Sequence, residues 1–193
     1  MGLPKLTSAV ALTALTFTLS ATPGWSETTP KQISFICRSI TPRSDGLRKV
    51  PATVAFIPQQ SRRYQPIIAW ESDSFPNTVW TPQKRCEVIS QKFQEFYNEG
   101  RLRYMTVGQV KGLGVICAAQ SPETCNSENQ LFTVKPGSDP QTVLEQLIEL
   151  ASGRTTEGVS QTTNSRMWET VNNQKYLNFG VYLQNAPVED VTE

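Results

Sequence analysis

The side chains able to do chemistry in this chain are four cysteines, at 37, 86, 117 and 125, and seventeen carboxylates; there is no histidine. Without an imidazole neither a Ser-His-Asp nor a Cys-His arrangement can be built, which removes most hydrolase mechanisms. No two cysteines stand at C-x-x-C spacing, so neither a thioredoxin-like redox pair nor a cysteine and histidine zinc site is expected. No metal and no cofactor is therefore assigned. Cysteines of an exported chain meet an oxidising environment, and Cys37, Cys86, Cys117 and Cys125 are read as two disulfides. Of the three pairings open to four cysteines, Cys117–Cys125 is favoured because the two are close in sequence, which leaves Cys37–Cys86. In the chain-entropy account the short loop contributes roughly 2.6 kcal/mol and the long one roughly 4 kcal/mol.

Paired carboxylates are the remaining catalytic option, since glycosidases use them as acid and base, and Glu71 with Asp73 or Glu123 with Glu128 can be written in those roles. Nothing in the sequence selects these pairs, and a solvated surface is their ordinary meaning. Gly108, Gly112 and Gly114 lie within a hairpin rather than ahead of a helix, so they make no phosphate loop. The richest candidate surface runs from Tyr64 to Trp80, where Trp70, Phe75 and Trp80 alternate with Glu71, Ser72, Asp73, Ser74 and Asn77. Such aromatics stack on sugar rings or anchor a protein partner, because they bring large contact area at little entropy cost. Core capping is the simpler expectation for Trp70 and Phe75, while Trp80 is open to either. Arg85 could hold an anion beside a helix N-terminus, although an ion pair with a neighbouring carboxylate is the commoner use.

Compartment and partners follow from the ends and the charge. Met1 to Lys5 carries one positive charge, Leu6 to Leu19 is uncharged and apolar, and Gly24 and Ser26 have the spacing a signal peptidase accepts. Residues 1–26 are therefore read as a signal peptide, cleaved after Ser26 or, as second choice, after Ala21; the apolar stretch is short for a membrane span. The mature chain has as many basic as acidic residues, 17 each, and no basic run, so no nucleic acid and no acidic surface is an expected partner. A chain of this size buries roughly 70% of its unfolded surface and needs no metal or disulfide cluster to form a core.

The elements that must hold these residues can be traced in order. Strands are expected at 33–37, 52–57 and 64–70, punctuated by Pro51, Pro58 and the arginines between them. Thr81-Pro82 caps and starts a helix over 82–99 that Gly100 stops, with Cys86, Ile89, Phe93 and Phe96 on one face. Leu102 to Val110 and Gly114 to Ala119 form a hairpin through the glycine-rich turn Lys111-Gly112-Leu113-Gly114, and Gln130 to Val134 adds a strand. Asp139-Pro140 repeats the cap for a second helix to about Ala151, with Val143, Leu144, Leu147, Ile148 and Leu150 on its apolar stripe. Beyond Gly153 the chain is Thr/Gln/Asn-rich, with a further strand expected within Tyr176 to Leu183 and a mobile end from Ala186. The expectation is an α+β domain over 27–152, an antiparallel sheet of five or six strands with two helices on one face, clamped by disulfides, and an extension over 153–193.

The strings Ile68-Ala69-Trp70-Glu71-Ser72, Phe75, Thr81-Pro82-Gln83-Lys84-Arg85-Cys86 and Ser90-Gln91-Lys92-Phe93-Gln94 resemble the circadian oscillating protein family of cyanobacteria. The likeness continues through Gly100-Arg101-Leu102-Arg103-Tyr104, Val115-Ile116-Cys117-Ala118-Ala119, Cys125, Leu131 to Gly137, and Asp139-Pro140 with Val143-Leu144. Lys111-Gly112-Leu113-Gly114 departs from it, since the family turn more usually reads Asn-Gly. The resemblance implies an exported cyanobacterial protein with peripheral membrane association, and it brings no catalytic residues. The function expected is non-enzymatic binding of a protein partner or membrane-attached assembly in the periplasm or thylakoid lumen. A polysaccharide-binding module built on Trp70, Phe75 and Trp80 is the alternative, and a carboxylate-dependent glycan hydrolase the third reading. Both helices need their apolar faces for the core, so membrane attachment is expected to run through a partner.

Overall fold

The computed structural model describes Gly2 and residues 32–41, 48–58, 63–71, 79–151 and 167–185. The expected leader and its cleavage position, Asp73, Phe75, the stretch 152–166 and the chain from Ala186 lie outside the described residues. Everything described from Gln32 onward belongs to the unit Lys31–Glu193.

Two antiparallel sheets carry the fold. Strands β1 (Ser34–Ile40), β2 (Val50–Ile57) and β3 (Arg63–Ala69) form the first, in that order. The second consists of β4 (Tyr104–Val110), β5 (Leu113–Ala119), β6 (Gln130–Thr133), β7 (Trp168–Val171) and β8 (Gln174–Asn178), ordered β6-β5-β4-β8-β7. Helix α1 (Pro82–Asn98) lies on β1 and β2 and reaches β6, while α2 (Pro140–Ala151) lies against β3, β4 and β5. A third helix, α3 (Phe179–Asn185), follows β8 directly. The class is α+β with antiparallel pairing and two disulfides, as expected; the strands divide between two sheets that share one apolar core.

Local chemistry explains the element ends. The Thr81 hydroxyl accepts a hydrogen bond from the Lys84 amide at 3.2 Å, and Pro82 occupies the first helical position, where no amide partner is lost. At the other end the Gly100 amide donates to Tyr97 O at 3.0 Å and the Arg101 amide to Phe96 O at 2.8 Å, the paired bonds of a Schellman stop. Helix α2 is capped by Asp139, whose Oδ2 accepts from the Thr142 amide at 2.8 Å and from its hydroxyl at 2.8 Å. Cys86, Ile89, Phe93 and Phe96 are buried, the face the three- and four-residue spacing selects.

The core continues past residue 152. Leu177, Phe179, Tyr182 and Leu183 are buried in it, and β8 pairs with β4 through Tyr104↔Asn178 and Met105↔Leu177. Asn172 and Asn173 make the tight turn between β7 and β8 with φ of 49° and 64°, a left-handed pair that asparagine tolerates. The strand expected within Tyr176 to Leu183 stops at Asn178, because the Asn178 side chain accepts from the Val181 amide at 3.0 Å and caps α3 instead.

Candidate functional site

The end of β3 and the start of α1 bring together most of the described residues singled out in the sequence. Register between β2 and β3 shifts at Thr53/Val54, so Ile67 and Ile68 both reach the core and the two-residue alternation is broken. Trp70 follows them inward and is 7% exposed. Its amide donates to Pro51 O at 2.9 Å, its indole Nε1 donates to Thr53 Oγ1 at 3.2 Å, and its ring stands edge-on to Phe132 at 5.9 Å. The buried Ser90 hydroxyl donates to the same Thr53 oxygen at 3.1 Å. Thr53 thus satisfies two polar groups that burial would otherwise leave without water. The Arg85 guanidinium, itself buried, lies 5.2 Å from the Trp70 ring centre, a cation over an aromatic face.

Glu71 is exposed, and its carbonyl accepts from Arg48 Nη2 at 3.1 Å, which ties the start of β2 to the end of β3. Phe75 and Asp73 lie outside the described residues. Val79 is 83% exposed and Trp80 45%. Five large apolar side chains are exposed among the described residues, and these two are the ones adjacent in the chain. They directly precede the Thr81 cap, and one turn later Cys86 is bonded to Cys37 of β1. The pair is thus displayed from a helix start pinned to a sheet.

Cysteine pairing is Cys37–Cys86 and Cys117–Cys125, and none of the four is free. The second bond crosses from β5 to the loop 120–129, which lies over β4. A Cβ added at Gly108 would come within 2.4 Å of Cys125 Cβ, so the absent side chain leaves the room in which the loop sits. In that loop Glu123 Oε1 accepts from the Gln120 amide at 3.4 Å, and Glu128 O accepts from Arg101 Nη2 at 2.6 Å. Glu123 shapes the loop through its carboxylate and Glu128 through its backbone carbonyl. Among the described residues no group of three acidic or cysteine side chains converges as a metal site would, and no helix is long and apolar enough to cross a membrane.

Two tyrosines of the five-stranded sheet are joined only by the tertiary fold. Tyr104 OH donates to Glu169 Oε1 at 3.1 Å and Tyr176 OH to Glu123 O at 3.3 Å, and the two rings meet edge-on at 6.5 Å. Burial pushes both phenols above their usual range. Their signal was a tyrosine on each of two strands that only the β4–β8 pairing makes neighbours.

The family model described as "Circadian oscillating protein COP23" matches residues 34–184. The chain belongs to this family. The match begins at the first residue of β1 and ends inside α3, so the circadian oscillating protein domain takes in both sheets, both disulfides, β7, β8 and α3. No curated protein and no solved structure matches the chain.

Proposed function

We propose that this circadian oscillating protein is an exported, non-enzymatic protein of the periplasm or thylakoid lumen that docks on another protein or a membrane-attached assembly. The observation that supports this reading is the exposure of Val79 and Trp80 side by side ahead of a helix held by a cap and a disulfide. An exposed aromatic on a rigid support brings contact area at little entropic cost, as interface anchors do. Two disulfides support export, since such bonds persist in oxidising compartments. The apolar face of α1 is used by the core, so attachment to a membrane runs through a partner. The pure protein is expected to leave neutral and anionic vesicles unbound; direct binding to either would overturn that part of the reading.

The same exposed indole supports a second reading, a polysaccharide module in which Trp80 stacks on a sugar ring. Crosslinking of a C-terminally tagged copy in living cells, with mass spectrometry of the attached material and of the mature N-terminus, separates the two. One recurring protein supports docking. Glycan fragments, with pelleting on purified peptidoglycan that is lost in Trp80→Ala, support the alternative.

A further inference from the structure

The three-stranded sheet has two faces of different chemistry. Alternate residues of a strand point to opposite sides. The inner side is marked by Phe35 and Ala55, which oppose each other and belong to the common core. The pairs Ile36↔Val54, Arg38↔Ala52 and Phe56↔Tyr64 therefore share the outer side. Ala52 and Val54 are 0% exposed, yet neither belongs to the core that the helices join. They form a floor of small side chains on the middle strand, shadowed by the longer ones of β1 and β3. Ile36 stands beside them and is 39% exposed. The buried apolar residues of all three helices go to the inner side, so among the described residues this outer face has no helix of its own.

One cation lies across the face. Arg38 reaches from β1 over the middle strand to the Tyr64 ring on β3, 4.4 Å from its centre, on a diagonal that crosses Val54. Phe56 lies against the same ring, with centres 5.1 Å apart. The ring attracts the charge but gives no oxygen to the five N–H groups of the guanidinium. Among the described residues no carboxylate pairs with Arg38. The strands β1, β2 and β3 contain neither aspartate nor glutamate. An apolar setting strengthens a guanidinium and carboxylate pair relative to water, so what this face lacks is an acid.

The missing acid decides the occupant. A second copy packed face to face on a two-fold axis would bring another acid-free sheet and bury two like charges with no counter-charge. A protein segment with apolar side chains and its own carboxylate meets both the apolar floor and the cation. We propose that the outer face of β1, β2 and β3 is a docking surface for an acidic, apolar segment of another protein, whose aspartate or glutamate is received by Arg38. The carboxylate accepts from the N–H groups that the Tyr64 ring leaves free, and the apolar side chains of the segment lie on Ile36 and beside Tyr64. The surface is built from other residues than Val79 and Trp80, and its test does not depend on them.

The probe is a random-peptide library selected against the oxidised wild-type protein, with the affinity of enriched peptides measured by titration and their position mapped by NMR. Enriched peptides are expected to carry an aspartate or glutamate among apolar residues and to shift the signals of Ile36, Arg38 and Tyr64. Changing their acid to the matching amide, or Arg38→Gln in the protein, is expected to weaken binding at least about tenfold, and Arg38→Lys to restore part of the loss. Ile36→Ser keeps the contact between Arg38 and Tyr64 and is expected to weaken binding about threefold. No enriched peptide, equal affinity of the acid and amide forms, unchanged affinity in both variants, or a map centred on Val79 and Trp80 would overturn the proposal. Binding to anionic vesicles that Arg38→Gln abolishes would also overturn it, since it would assign the face to a lipid surface.

Discussion

The two disulfides do different work in the two sheets. Cys37–Cys86 spans 49 residues and joins a strand to a helix, both regular elements of the core; Cys117–Cys125 spans 8 residues and joins a strand to a loop on the outside of the other sheet. Chain entropy makes the first roughly 4 kcal/mol and the second roughly 2.6 kcal/mol. The difference shows in what each bond positions. The long clamp steadies the start of α1, where Val79 and Trp80 are displayed, whereas the short clamp holds a cover over β4 and β5. A binding surface is better placed beside the first, since a rigid support lowers the ordering cost of association.

Removing the long clamp is the largest test of that contrast. Cys37→Ala/Cys86→Ala is expected to lose about 4 kcal/mol of unfolding free energy, read from denaturant midpoints. A loss no greater than that of the other pair would equate the two regions. Cys117→Ala/Cys125→Ala is expected to lose roughly 2.6 kcal/mol while leaving binding through Trp80 intact. Gly108→Ala should resemble it, because the added methyl crowds Cys125 Cβ and Sγ. Free-thiol titration of that variant is expected to find Cys117 and Cys125 unpaired; complete oxidation with unchanged stability would show that the loop has slack.

These regions were unequally legible beforehand. Helix α1 was readable because its signals are local: a Thr-Pro start, a glycine stop and an apolar stripe between them. Its clamp was readable from cysteine spacing. The strand order of the second sheet was not, because it rests on the pairing of β4 with β8 across some 70 residues, and that pairing also makes Tyr104 and Tyr176 neighbours. The last strand ends sooner than the β-forming residues of Tyr176 to Leu183 suggest, because the Asn178 side chain caps the following helix. Trp70 and Trp80 look alike in sequence, and the register shift at Thr53/Val54 is what sends the first inward.

Smaller effects refine the picture of the five-stranded sheet. Lys111 carries φ of 52° in the two-residue turn of the β4–β5 hairpin. Lys111→Asn is expected to gain about 0.5–1 kcal/mol, measured by denaturation, because asparagine adopts the left-handed region at lower cost. No gain would mean that the turn is not strained by lysine.

The smallest effect expected is at Asp139, where α2 starts between the two sheets. Bonds from the Thr142 amide and hydroxyl, the amide first, hold this carboxyl below the usual carboxylate range. A depressed value in the folded state gives stability that is present above about pH 4 and is lost as pH falls through the folded value. Asp139→Asn keeps a capping oxygen without the charge. The wild type is therefore expected to lose more stability than the variant between neutral and acidic pH, and parallel losses would show that the cap is indifferent to charge.

The central claim, that the protein docks through Val79 and Trp80, is tested most directly by photo-crosslinking in living cells. A light-activated residue is placed at position 80 in one copy and at Leu113, an exposed apolar position on the far hairpin, in another. The account predicts one recurring protein attached through position 80 and not through 113. Glycan fragments at position 80, the same products from both positions, or nothing above an exported control protein would contradict it.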